Sequence, residues 1–201
     1  MINNDLLYYI PSGEFGKEGV LGLLKTHPEI RFVSLVGIDL AGNDTDEKVP
    51  IELFLKNYDD FFAGTAVQTD GSSVVLMNIA TLNDARVDMV ADASVNWYID
   101  YNEDNLYSNG RPVGTLRIPC FLLHNGKFID SRSILKESCA FVAEKLKDLL
   151  ASGKPVKGME DLPVDEIEDI KFTIGTELEF WVKTPSETET VQHLSISQRL
   201  Q

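Results

Sequence analysis

The chain has 201 residues, 43% of them hydrophobic and 9% aromatic, enough apolar material to bury a core and to exclude disorder over most of its length. Its 32 acidic residues against 18 basic ones give a formal charge of −14, which sets it against nucleic-acid phosphates and against anionic membrane surfaces alike. No basic, apolar, small-residue leader opens the chain and no apolar run reaches bilayer length, so the expected compartment is the cytoplasm.

From the start, Leu6 to Ile10 is apolar and is followed by Pro11 and several glycines. Val20 to Lys25 predicts a short helix that ends before Pro28. Arg31 to Leu40 predicts a strand that is apolar on both faces, hence central in its sheet. Asp39 to Asp44 is a turn, and Lys48-Val49 begins a return strand. Pro50 suits a first helical position; Ile51, Phe54, Leu55, Tyr58, Phe61 and Phe62 then keep a helical period up to Gly64. Gln68 to Val74 is a polar loop whose Asp and Ser side chains bond local amides.

Further on, Asp88 to Asp92 is a short strand or loop and Trp97 to Ile99 a strand, with a polar excursion from Tyr101 to Arg111. Thr115 to Leu123 is a long apolar strand that Asn125-Gly126 turns back into Lys127 to Ile129. Asp130 or Ser131 caps a helix whose apolar stripe is Ile134, Leu135, Phe141, Val142, Leu146, Leu149 and Leu150, closed by Gly153. The acidic stretch 155–170 reads as a solvated connector. Cys120 and Cys139 make neither a disulfide framework nor a zinc site and are expected as buried free thiols. His27, His124 and His193 lie too far apart for ligand spacing and are expected at the surface or in turns. The pattern is that of an α+β fold, with helices packed on one face of a curved mixed sheet.

Chemistry points to Phe172 to Val182, which reads as a strand. Alternation places Phe172, Ile174, Leu178, Phe180 and Val182 on one face with Thr176, and Gly175, Glu177, Glu179 and Trp181 on the other. Glu177 and Glu179 would then stand side by side, roughly 7 Å apart. Carboxylates that close repel unless cations neutralise them, and a pair of divalent ions beside a substrate phosphate would do so. The plainer reading of a Glu-x-Glu pair is a solvated edge-strand face. The tail from Thr184 is polar, with a candidate helix at Thr190 to Leu200.

Three segments, in this order, resemble glutamine synthetase. Asp70-Gly71-Ser72-Ser73-Val74 is similar to that family's Asp-Gly-Ser-Ser-Ile loop. Asp130-Ser131-Arg132-Ser133-Ile134-Leu135-Lys136 is similar to its Asp-Pro-Arg segment opening a helix, and Gly175-Thr176-Glu177-Leu178-Glu179-Phe180-Trp181 to its Gly-x-Glu-x-Glu-Phe-Phe strand. Phe32 to Leu35 followed by Asp39 and Gly42, and Asp88-Met89-Val90 followed by Asp92, also fit, so the resemblance covers about residues 19 to 182.

The resemblance implies a β-grasp-like domain at 19–152, an acidic connector at 153–170, and the opening strand of a truncated catalytic domain at 171–201. It implies ATP-dependent ligation of ammonia to the glutamate side chain through a γ-glutamyl phosphate, in a homo-oligomer with active sites between subunits. By the same resemblance Asp70 would bind ammonium and help take its proton, and Ser73 would assist in placing it. Glu177 and Glu179 would each ligate one of two Mg2+ or Mn2+ ions.

The chain departs from the family pattern in three places. Ser131 stands where proline is usual, and Val75-Leu76-Met77-Asn78-Ile79 follows the loop where a Gly-rich stretch with tryptophan is typical. The second difference leaves the amine open, so a glutamate–polyamine type of ligase fits as well. The third is that no further metal ligands, nucleotide pocket or glutamate-binding arginine follow the first catalytic strand; the 201 residues are therefore expected to be part of a longer protein and inactive alone. A non-catalytic binding or assembly module of the same fold is the alternative from another class.

Overall fold

In the computed structural model, residues 4–13, 16–76, 85–154, 157–158, 167–179, 182–183 and 191–192 are described. The first elements are β1 (Tyr9–Ile10), α1 (Lys17–Thr26), β2 (Ile30–Ile38) and β3 (Asp44–Pro50). Two short helices follow, α2 (Ile51–Lys56) and α3 (Tyr58–Ala63), then β4 (Gln68–Asp70) with a 3-10 turn at Gly71–Ser73. Next come β5 (Arg86–Ala91), β6 (Trp97–Leu106), β7 (Pro112–His124), β8 (Lys127–Phe128) and α4 (Ser131–Ala151). A separate pair, β9 (Val182–Lys183) and β10 (Val191–Gln192), ends the described chain. The chain divides into two compact units, one to Lys145 and one from Leu146.

In the first unit an 8-stranded sheet runs β1-β6-β7-β2-β3, with β5 and β8 also on β7 and β4 on β5. The expected α+β class and β-grasp-like curved mixed sheet are observed. The 13-residue β7 organises it. Its first half lies parallel to β2 and antiparallel to β6, while its second half pairs antiparallel with β5 and β8. Alternation along β2 and β7 sends Val33, Leu35, Leu116, Ile118, Cys120 and Leu122 into the core, all fully buried. Helices α1 to α3 close that face with Val20, Leu24, Phe54 and Phe61. Close packing demands glycine at position 37, where a Cβ would sit 2.5 Å from Leu122 Cδ2. The expected Asn125-Gly126 hairpin is present, with φ of 51° and 73°, the left-handed pair that a tight two-residue turn requires.

Besides shifts of one to three residues at the ends of α1, β2 and β7, three elements differ from the sequence reading. The single helix expected over Ile51 to Phe62 breaks at Asn57 (φ −115°, ψ 33°). The break turns Phe54 and Phe61 onto each other, edge to face at 5.0 Å, with both rings fully buried. Gly64 ends α3 in the left-handed conformation (φ 73°), as expected. The return strand begins at Asp44 rather than Lys48. Most of the polar excursion is strand: β6 continues to Leu106 with a register shift between Asn102 and Leu106, and Tyr107 to Arg111 is a closed turn. An edge strand can carry Glu103 and Asp104 outward, so polarity there did not mean loop.

The helix cap at Asp130 is as expected, but the stripe on α4 is only partly covered: Leu150 is buried and Ile134 and Leu146 half-buried, whereas Leu135, Phe141, Val142 and Leu149 are exposed. Cys120 is buried and Cys139 half-buried, both free thiols.

In the second unit Gly153 (φ 68°) closes α4, and the Lys147 ammonium donates to the Glu168 carbonyl at 3.3 Å. The strand expected from Phe172 to Val182 is not formed over 171–179, which carries neither helix nor strand. A strand persists through ladder hydrogen bonds, and no described residue pairs with this stretch. Its apolar side chains are accordingly in water, Ile174 being 75% and Leu178 77% exposed. Phe180 and Trp181 lie outside the described residues, as does most of the acidic connector. Of the helix expected at Thr190 to Leu200, Val191 and Gln192 are instead strand, paired with Lys183 and Val182; the rest lies outside the described residues.

Candidate functional site

β4 delivers Asp70 to the end of the sheet. Gln68, Thr69 and Asp70 pair antiparallel with Asp88, Val87 and Arg86 of β5, and the Gln68 side-chain amide donates to Asp88 at 2.6 Å. The Gly71 amide continues the ladder to the Ala85 carbonyl at 2.7 Å. The chain then tightens into its 3-10 turn, closed by Val74 N–H on the Gly71 carbonyl at 3.1 Å. Asp70 caps that turn by accepting the Ser72 amide at 2.7 Å. Gly71 and Val74 are buried, whereas Asp70, Ser72 and Ser73 are exposed. The Ser72 hydroxyl, then its amide, hold the Asp70 carboxyl below the usual carboxylate range. Asp70 and Ser73 thus share one exposed turn, with a carboxylate that stays charged near neutral pH.

The turn is braced from outside. Asp39, at the end of β2 and fully buried, accepts the Val75 amide at 3.0 Å. It also accepts the amides of Ala41 and Asn43 and the Asn43 side-chain amide. Burial pushes the Asp39 carboxyl up, and the hydrogen bonds from Val75, Asn43 and Ala41 outweigh it, leaving it below its ordinary value.

The other acidic motif positions fasten the scaffold. Asp130, fully buried, accepts the Leu122 amide at 3.1 Å and the Ser133 amide and hydroxyl at 2.8 Å each, joining β7 to the start of α4. Asp92, 3% exposed, accepts Ser94 and pairs with the Arg132 guanidinium. Buried Arg132 Nη1 meets no hydrogen-bond acceptor among the described residues; the guanidinium lies 5.1 Å from the Phe121 ring centre instead. Arg132 also borders an open, mainly apolar groove of about 590 Å³ with Val36, Ile38, Tyr98 and Pro119.

Glu29, which no motif in the sequence marks, is fully buried and gathers His27, Asn109 and Arg111 at 3.1, 3.2 and 3.2 Å. The signal was an acid directly before an apolar strand, two residues from His27. His27 is therefore half-tucked against Glu29, and His124 is bonded to the Arg86 carbonyl at 3.0 Å. His193 lies outside the described residues.

Glu177 and Glu179 belong to the second unit and are both exposed on the irregular stretch. They are not held side by side by a ladder. Among the described residues no group of three or more His, Cys, Asp or Glu is arranged to hold a metal ion. Two carboxylates do not complete the oxygen set of Mg2+ or Mn2+, so the residues described do not by themselves fit the expected metals. Among the described residues no helix is long and apolar enough to cross a membrane.

No family model matches the chain, and no curated protein matches it. A similar solved structure is the Plasmodium falciparum glutamine synthetase determined by cryo-EM, with 18% identity over 66% of this chain and a TM-score of 0.45. The likeness is distant, and this chain spans 24% of the length of that one.

Proposed function

We propose that the Asp70–Ser73 turn is the ammonium-holding element of an ATP-dependent ligase that joins ammonia to the glutamate side chain. The observation that carries this is the turn itself: a charged carboxylate, with serine hydroxyls beside it, presented at the end of a sheet and braced from behind. The order of the Asp70, Asp130–Arg132 and Gly175–Trp181 segments supports the same reading.

The glutamate carboxylate would first take the terminal phosphoryl group of ATP, and ammonia would displace phosphate from the resulting acyl phosphate. A carboxylate held below its usual range attracts ammonium and keeps its own charge. Asp70 would hold the cation by charge and help take its proton as ammonia forms. Ser73, exposed one turn away, would orient the bound cation. The exposed tip suits a site completed by a neighbouring copy in a homo-oligomer. Mg2+ or Mn2+ would neutralise phosphate charge; Glu177 and Glu179 would supply two of the oxygen ligands, and the rest of the set would come from outside the described residues.

In the intact ligase, Asp70→Asn is expected to lower kcat/KM for ammonium about 100-fold with nucleotide affinity unchanged. Equal losses in turnover and in nucleotide binding would remove the assignment. Phosphate release that prefers a polyamine over ammonium would replace ammonia by that amine as the substrate.

A further inference from the structure

We propose that Asp39 is a positioning residue for the Asp70–Ser73 turn, acting through its bond to the Val75 amide; its functional consequence rests on the ammonium reading above. The two residues are 36 positions apart in sequence, and the bond connects the β2–β3 turn to the exit of the candidate site. Val74 and Leu76 on either side are buried, so side-chain packing sets the depth of this segment. The Asp39 bond fixes its backbone against the neighbouring turn.

The chemistry requires a carboxylate. Oδ1 accepts the Ala41 and Asn43 amides at 2.9 Å each. Oδ2 accepts the Asn43 side-chain amide at 3.1 Å and the Val75 amide at 3.0 Å. Four donors meet two oxygens, and only an acceptor-only group satisfies all of them. In Asp39→Asn, the remaining oxygen can keep both turn amides, and the Asn43 side chain can rotate to present its own oxygen. The Val75 N–H has no such freedom and would face an NH2 group. The substitution therefore cuts this tether and spares the turn that Asp39 nucleates.

Amide exchange on the chain tests this. Asp39→Asn is expected to speed exchange over residues 70–76 about tenfold or more, with β2 and β7 amides as protected as in the parent. Unchanged exchange in the loop, or sheet amides opening as much as the loop, overturns the proposal. Val75→Pro removes the donor and keeps Asp39, and Val74 is already extended (φ −116°, ψ 113°), as the residue before proline must be. It is expected to give the same loop signature, and global unfolding of both variants would also overturn the proposal. In the intact ligase Asp39→Asn should raise KM for ammonium about tenfold, with KM for ATP and kcat at saturating ammonium near the parent values. A loosened loop with unchanged KM for ammonium keeps the tether and removes the ammonium reading. An unchanged loop removes the tether and leaves that reading standing.

Discussion

The guanidinium of Arg132, at the start of α4, closes on the carboxylate of Asp92, 40 residues upstream. It joins the start of α4 to the loop after β5. Asp92 sits where burial pushes its carboxyl up. The Ser94 hydroxyl and amide, then Arg132, more than offset this and leave it below its ordinary value. Arg132→Ala would strand that buried charge, and about 3 kcal/mol of destabilisation is expected in urea unfolding. Asp92→Asn combined with Arg132→Ala should cost less than the sum of the two. Additive losses would mean that the pair contributes no more than a surface contact.

Gly37 and Leu122 form a second coupled pair. A methyl group at position 37 would lie 2.5 Å from Leu122 Cδ2 and 2.8 Å from Cγ, and Leu122 is fully buried. Gly37→Ala is expected to destabilise by about 1–3 kcal/mol through overpacking. In a Leu122→Ala background the same change should be nearly neutral, because the truncated side chain leaves room. Equal costs in both backgrounds, measured by thermal unfolding, would show that the close approach is not what selects glycine.

Acid should unfold the first unit through Glu29, Asp39 and Asp92. All three carboxyls lie below their ordinary values of 4.5, 3.8 and 3.8 in the folded chain. For Glu29 burial raises the value, and its own backbone amide, His27, Arg111 and Asn109 lower it by more. A depressed folded-state value stabilises fully above the unfolded value, and the contribution is lost as pH falls through the folded one. Stability is therefore expected to be flat in these groups down to the ordinary carboxylate range and to drop below it. Glu29→Gln should be destabilised at neutral pH and should show a shallower acid decline in denaturant titrations. An unchanged slope would mean that Glu29 does not take part.

Asp130 ties β7 to α4 through three hydrogen bonds. Asp130→Ala leaves two buried amides unpaired, and about 2 kcal/mol is the expected cost. Asp130→Asn, whose oxygen still accepts, should retain part of it. A mutant with parent-like stability and helical circular dichroism would exclude the capping role.

Much of the first unit was legible in the chain. Arg31 to Leu40 and Thr115 to Leu123 announced the two central strands by continuous apolarity. Gly64, Asn125-Gly126 and Asp130 marked ends and turns because their chemistry acts within a few residues. The polar turn at Asp70 was visible for the same reason, as its cap is satisfied two residues away. Tertiary structure decided what depends on partners distant in sequence. It broke the helix at Asn57 so that two phenylalanines meet, and it carried β6 on to Leu106 because β7 lay beside it. It also sent Asp39 to Val75, Asp92 to Arg132 and Glu29 to Arg111. The stretch around Glu177 and Glu179 has strand-like alternation but no ladder partner among the described residues. Local pattern can propose an element; hydrogen bonds and burial supplied by remote segments determine whether it forms.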